Sequence, residues 1–268
     1  MINLMKADFY KMRKSATLWF TFLVMCVAVT VFAVLSIGMA KGSIGKETIG
    51  MASGLSDGSL TAIIGPFLAA IFICSDFTNK TMHDSILCGK GRRAIVYAKI
   101  IPYGLSILLM LLPYSILTIV GFLVKGSFSL DFANGMDSSY MMVLASQGSV
   151  AHDAEMILKM LLIVVVVAVM YIARMSLCIL LGYTIRKPVL VVGIGFIVEM
   201  VGSLIALSVS SSEALTEALS WTPFVGIKET LNMGAAYSDL FKTLGASIVF
   251  IVIILNITSA IFAKSEVK

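Results

Sequence analysis

The feature that most constrains this chain is a set of six apolar runs. Each is long enough, or nearly so, to cross roughly 30 Å of hydrocarbon at about 1.5 Å per residue. They cover residues 17–40, 59–75, 99–124, 157–183, 188–209 and 243–263. Backbone at membrane depth must satisfy its own polar groups, so runs of this length are expected to be helices. A soluble fold fails on composition: 59% of the 268 residues are hydrophobic and 13% are charged, against about 25% charged in an ordinary soluble domain. The expected fold class is all-α integral membrane, with one transmembrane domain over 1–268. The first run exceeds the apolar core of a signal peptide and lacks a small-x-small cleavage site, so it reads as a retained span. Pro66, Pro102 and Pro113 fall within or near spans, where they should kink or start helices.

Orientation follows from Lys and Arg. With the amino terminus inside, the cytoplasmic set is Lys6, Lys11, Arg13, Lys14, Lys80, Lys90, Arg92, Arg93, Lys99, Arg174, Arg186, Lys187, Lys264 and Lys268, 14 of the 20 basic residues. Ten of the 15 acids fall on the other side. Both distributions place the two termini in the cytoplasm. The pI near 9.0 then points to anionic inner-leaflet lipid as a partner, and not to nucleic acid.

Chemistry-bearing motifs are few. Cys26, Cys74, Cys88 and Cys178 are scattered, and only His83 and His152 could join them, so the cysteines read as small buried hydrophobes and no metal site is expected. Gly45-Lys46 resembles a fragment of a phosphate loop, but Glu47 and Ala40 stand where Ser/Thr and the first Gly are needed. His152-Asp153 has no identifiable nucleophile, and no intramembrane-protease motif is present. The 17 methionines suit an adaptable apolar wall or, more commonly, core filling.

Five segments bear on mechanism. Residues 1–16 place Ile2, Met5, Phe9, Met12 and Ala16 at three- and four-residue steps, predicting an amphipathic helix in the cytoplasmic interface. In 75–91, Ser75 or Asp76 can cap a short helix that Gly89 and Gly91 end. Its apolar side, Phe77, Met82, Ile86 and Leu87, suits a partner's groove or lipid headgroups equally. Arg174 and Glu199 are placed symmetrically about the tight turn at 184–187, so in an antiparallel hairpin both lie roughly 15 Å deep. Charges there must be paired or hydrated. Either they pair or share a polar cavity, or Arg174 snorkels while Glu199 is protonated or faces a wet vestibule. The outer connections 125–156 and 210–242 are long. The second is broken at Trp221-Thr222-Pro223-Phe224, which suits short interfacial or re-entrant helices.

Three of these features resemble the permease subunits of type-2 ABC exporters. They are Lys6-x-x-Phe9-x-Lys11-x-Arg13 before the first span, Ser75-Asp76-Phe77-x-x-x-x-Met82 leading to Leu87-x-Gly89-x-x-Arg92, and Lys99 opening the third span. The family's usual serine before the arginine is replaced here by Gly91 or Arg92. The resemblance implies that 75–91 is a coupling helix seated on an ATPase subunit, with Asp76, Phe77, Thr81, Met82, Leu87, Gly89 and Arg92 as coupling residues. It implies re-entrant helices before the sixth span and a second permease copy or paralogue. ATP and Mg would bind the partner ATPase, leaving this chain a non-enzymatic subunit without a cofactor, in the bacterial cytoplasmic membrane. Small members export amphipathic peptides such as phenol-soluble modulins, or confer immunity to lantibiotics and bacteriocins. Almost wholly apolar spans favour an amphipathic or hydrophobic peptide as cargo, with drugs, lipid-linked molecules or ions as alternatives. From a different class, a secondary transporter or membrane scaffold would need no ATPase.

Overall fold

The computed structural model describes residues 2–45, 48–87, 89, 91–124, 138–146, 153–209, 221–224 and 233–265. Among these residues there are helices and turns and no strand. Helix α1 spans Ile2–Lys14, and α2 (Ala16–Ala40) follows after Ser15, whose side chain accepts the N–H of Leu18 at 3.3 Å. A short α3 (Thr48–Ala52) and a 3₁₀ turn (Ser53–Leu55) lead to α4 (Asp57–Ala69). The chain then passes through a π-helical turn, Ala70–Cys74, into α5 (Ser75–Thr78). Beyond lie α6 (Thr81–Leu87), α7 (Arg92–Leu123), α8 (Ser139–Ala145), α9 (Ala154–Ile185), α10 (Pro188–Val209) and α11 (Tyr237–Lys264).

Six segments are long and apolar enough to cross a membrane: α2, Thr48–Thr78, α7, α9, Pro188–Ile205 and α11. The chain is a multi-pass helical membrane protein. Hydropathy locates the hydrocarbon portion of each span, but helical hydrogen bonding continues past it. The third helix therefore starts at Arg92 and not near Lys99, and the sixth at Tyr237 and not near Thr243. The turn between α9 and α10 is as tight as expected. Arg186 ends α9 in a left-handed conformation, φ +59°, and Pro188 opens α10, where its missing N–H is no loss. Pro66, Pro102 and Pro113 all lie inside helices. The re-entrant helices expected within 210–242 lie outside the described residues, which there comprise only the turn at 221–224, the non-helical residues 233–236 and the start of α11.

Helices α7 and α9 form the centre. Helix α9 packs most extensively on α11 and also on α7, α10 and α4, while α7 meets α1, α2, α4 and α11. Lipid tails are as apolar as leucine, so close packing and polar contacts must hold such a bundle together. Gly195 of α10 shows the packing: a Cβ there would stand 2.7 Å from Pro66. Methionines fill the interior, with Met25, Met110, Met160, Met170 and Met175 all at 0% exposure. Helix α10 is the least covered span.

Candidate functional site

The polar groups of the interior gather at three depths. The richest cluster is at the end of the bundle that carries Ile2 and Ser265, here called the terminal end. Lys99 of α7 forms ion pairs with Asp8 of α1 and with Asp76 of α5. All three are nearly sealed, at 5%, 3% and 6% exposure. Lys11, with half of its side chain exposed, donates to Asp76 Oδ1 at 2.9 Å. Thr81, the first residue of α6, donates its hydroxyl to the same oxygen at 2.9 Å. Two carboxylates and two ammonium groups thus balance, which a low-dielectric interior demands.

Local structure explains why these groups meet. The π turn shifts the phase of the residues after it relative to a regular helix, and such turns recur at functional positions. Helix α5 ends at Thr78. Lys80 then takes a left-handed φ of +58°, and α6 starts at Thr81. The expected cap at Ser75 or Asp76 is overturned. Backbone enters α5 in helical conformation from Cys74, the Ser75 hydroxyl bonds back to Ile71 O, and the Asp76 carboxylate goes to Lys99, Lys11 and Thr81. The 75–91 segment is therefore two short helices, the first a continuation of the second span. Gly89 follows α6 at φ +76°, a conformation that favours glycine.

The remaining residues named from sequence also fall at this end. Phe77 makes edge contacts with Tyr183 of α9 and Phe262 of α11, at 5.8 and 6.1 Å between ring centres. The Arg186 guanidinium lies 5.2 Å over its ring. Met82 is buried and Leu87 is 72% exposed. Arg92 donates to Ala263 O at 3.0 Å and Ser265 O at 2.6 Å, a cation on the carbonyl end of α11. The α5–α6 junction is thus tied to α1, α7, α9 and α11, while at the far end of α6 Ile86 packs on the core and Leu87 is left exposed.

Helix α1 is more than a surface helix. Leu4 and Met12 pack against the core, with the buried Asp8 between them at four-residue steps. The Ser106 hydroxyl of α7 donates to Met12 Sδ at 3.1 Å. Sequence reasoning did not single out Asp8. The available signal was an acid beside Phe9, within a turn of Met5 and Met12, on the apolar face.

At mid-depth, Arg174 Nε and Nη2 each lie 3.0 Å from Glu199 Oε2. Nη2 also donates to Ser203 Oγ at 3.1 Å. The guanidinium sits 5.6 Å over Tyr171 and 5.1 Å over Phe224. Both charged residues are buried, at 1% and 0% exposure. Carboxylate, hydroxyl and aromatic faces together offset the cost of a cation at this depth.

At the opposite end, Asp57 is fully buried at the start of α4. It accepts from the Ser138 hydroxyl, from the N–H of Ser139 at 3.1 Å and Tyr140 at 3.4 Å, and from the Tyr171 hydroxyl at 2.8 Å. It thereby fastens the first turn of α8 to α4 and α9. Tyr114, Tyr140 and Tyr171 stack in sequence, at 6.3 and 6.4 Å. Sequence reasoning missed Asp57 as well. No group of residues suited to hold a metal ion occurs among the described residues.

The fold and these clusters define a class: a helical multi-pass membrane protein whose interior charges link neighbouring spans. Comparison adds no finer assignment, since no known protein-family model and no curated protein matches the chain.

Proposed function

We propose that this chain is the permease subunit of an ATP-driven exporter of the type-2 ABC class, moving amphipathic or hydrophobic peptides out of the cell. One observation carries the reading. The α5–α6 junction is knotted through Asp76, Thr81 and Lys99 to α1 and α7, while Leu87 at the far end of α6 is 72% exposed. A short helix held by ion pairs at one end, with an exposed leucine at the other, can pass a partner's movement to several spans at once. The partner is a separate ATPase that binds ATP and Mg, and Leu87 enters its surface. Two copies of this chain, or this chain and a paralogue, complete the pathway in the bacterial cytoplasmic membrane. Both termini then face the cytoplasm, and the terminal end is the ATPase side.

The test is co-purification of the full chain with an ATPase carrying a phosphate loop, of ~25–35 kDa, followed by peptide-stimulated ATP hydrolysis in proteoliposomes. Leu87→Asp should abolish both association and stimulation while leaving thermal stability unchanged, because Leu87 contributes little to the fold. Retained association in that variant would remove α6 from the coupling role. A second reading, a secondary transporter, draws on the buried Arg174–Glu199 pair at mid-depth. It requires substrate movement driven by an ion gradient with no ATPase present.

A further inference from the structure

Two cavities adjoin on the outward side of α10 and α11. The first, about 420 Å³, is walled by Leu177, Val201, Gly202, Phe224 and Phe250 and is apolar apart from Thr222. The second, about 770 Å³, is bordered by Trp221, Ser238, Lys242, Val249 and Phe250. Phe250 lines both, and the 221–224 turn contributes Trp221 to one and Phe224 to the other. Both volumes fall in the usual range for small-ligand sites, about 300–1,000 Å³.

Polarity along this groove is graded. Lys242 and Ser238 lie in the first turns of α11, at the end away from the termini. Phe250 is eight residues further along α11, about 12 Å deeper. The Lys242 ammonium sits 5.0 Å over the Trp221 ring, and among the described residues it has no carboxylate partner. Tryptophan with lysine is the pairing expected at a membrane–water boundary. The groove is flanked by Ile197, Val249 and Ile253, each at least half exposed, so its access is from bilayer hydrocarbon.

A cationic rim above an apolar slot that opens sideways into lipid fits one kind of occupant. We propose that this groove binds a single phospholipid of the leaflet at the end opposite the termini. Its anionic headgroup rests on Lys242 and Ser238, and one acyl chain runs past Phe250 to end against Phe224. The inner end of the slot has a definite job. Gly202 packs so closely on the Phe224 ring that a Cβ would come within 2.4 Å of it. That ring is also the one beneath the Arg174 guanidinium. The acyl chain therefore backs the aromatic wall that shields the Arg174–Glu199 pair from the membrane, where exposed charge is costly. This site rests on the six-span membrane reading alone and is independent of any ATPase.

The chain's two tryptophans, Trp19 and Trp221, allow a direct test. In Trp19→Phe protein, purified full-length in detergent, Trp221 emission is titrated with phosphatidylglycerol and phosphatidylcholine brominated in the acyl chain. Quenching should saturate and be about fivefold tighter for the anionic lipid, the effect of one basic residue near a membrane surface. Lys242→Gln should erase the preference, and Val201→Phe, which fills the slot, should weaken both lipids. Trp221→Phe protein provides the reference. Trp19 emission should report loose, unsaturable lipid that neither substitution alters. Equal quenching by both lipids, unchanged in Lys242→Gln and Val201→Phe, overturns the site. Stoichiometric displacement of the brominated lipid by an amphipathic peptide also overturns it, by assigning the groove to peptide.

Discussion

The two ends of the second span each carry a buried carboxylate, Asp76 at the terminal end and Asp57 at the other, and different kinds of neighbour satisfy them. Asp76 is held by ammonium groups, Lys99 and Lys11, with one hydroxyl. Asp57 is held by the Ser138 and Tyr171 hydroxyls and by the N–H groups that open α8. The first arrangement needs charge, because Lys99 must also answer Asp8 in a nearly sealed space. The second needs acceptors. One end is an electrostatic knot joining three helices; the other is a hydrogen-bonded latch on a short one.

The sharpest way to break the comparison is Lys99→Met, which leaves Asp8 and Asp76 facing each other without their shared cation. A loss of about 3–5 kcal/mol is expected, read as unfolding of the purified protein by heat or denaturant. Adding Asp8→Asn and Asp76→Asn to the same chain should recover most of it. A single-variant loss below about 1 kcal/mol would mean that the three charges are not closely coupled.

The mid-depth pair is the intermediate case. Glu199→Gln should cost about 1.5–3 kcal/mol, the range for a hydrogen bond to a charged group. Exchanging the two residues, Arg174→Glu with Glu199→Arg, should restore part of what either single reversal loses. Failure of the double variant to improve on both singles would leave the contact geometrically specific and not mainly electrostatic.

At the latch, Asp57→Ala should cost about 1–3 kcal/mol by stranding buried donors. Asp57→Asn should stay within about 1 kcal/mol of the parent, because its carbonyl can replace Oδ2 and the Ser138 hydroxyl can turn to accept from its amide. Equal losses for the two variants would show that charge matters at this end too. The smallest effect belongs to Lys11→Ala. Half of that side chain is exposed, so less than about 1 kcal/mol is expected, shrinking further as salt is raised.

The three clusters differ in how far the sequence announces them. Arg174 and Glu199 lie 25 residues apart on either side of a tight turn, and a hairpin of two regular helices sets their depths by counting. Asp8 and Lys99 are 91 residues apart, and Asp57 and Ser138 are 81 apart. No local rule brings those pairs together. They depend on α1 docking on α7 and on α8 folding back over the start of α4. The motif stretch 75–91 was visible as a turn-bounded segment, but its division into α5 and α6 was not. The π turn and the left-handed Lys80 carry no strong composition signal.

By itself the sequence determined the number of membrane-spanning segments, the tight turn at 184–187 and the equal depth of Arg174 and Glu199. Each follows from hydrocarbon thickness and helical rise, which act along the chain and need no partner. Only the tertiary structure decided which buried acid meets which buried base, that α1 contributes Asp8 to the interior, and that Phe224 stands between the mid-depth pair and an apolar groove. Those choices come from how helices of nearly uniform apolar surface pack. Hydropathy cannot distinguish one face of such a helix from another, and a few polar contacts and close glycines select the arrangement.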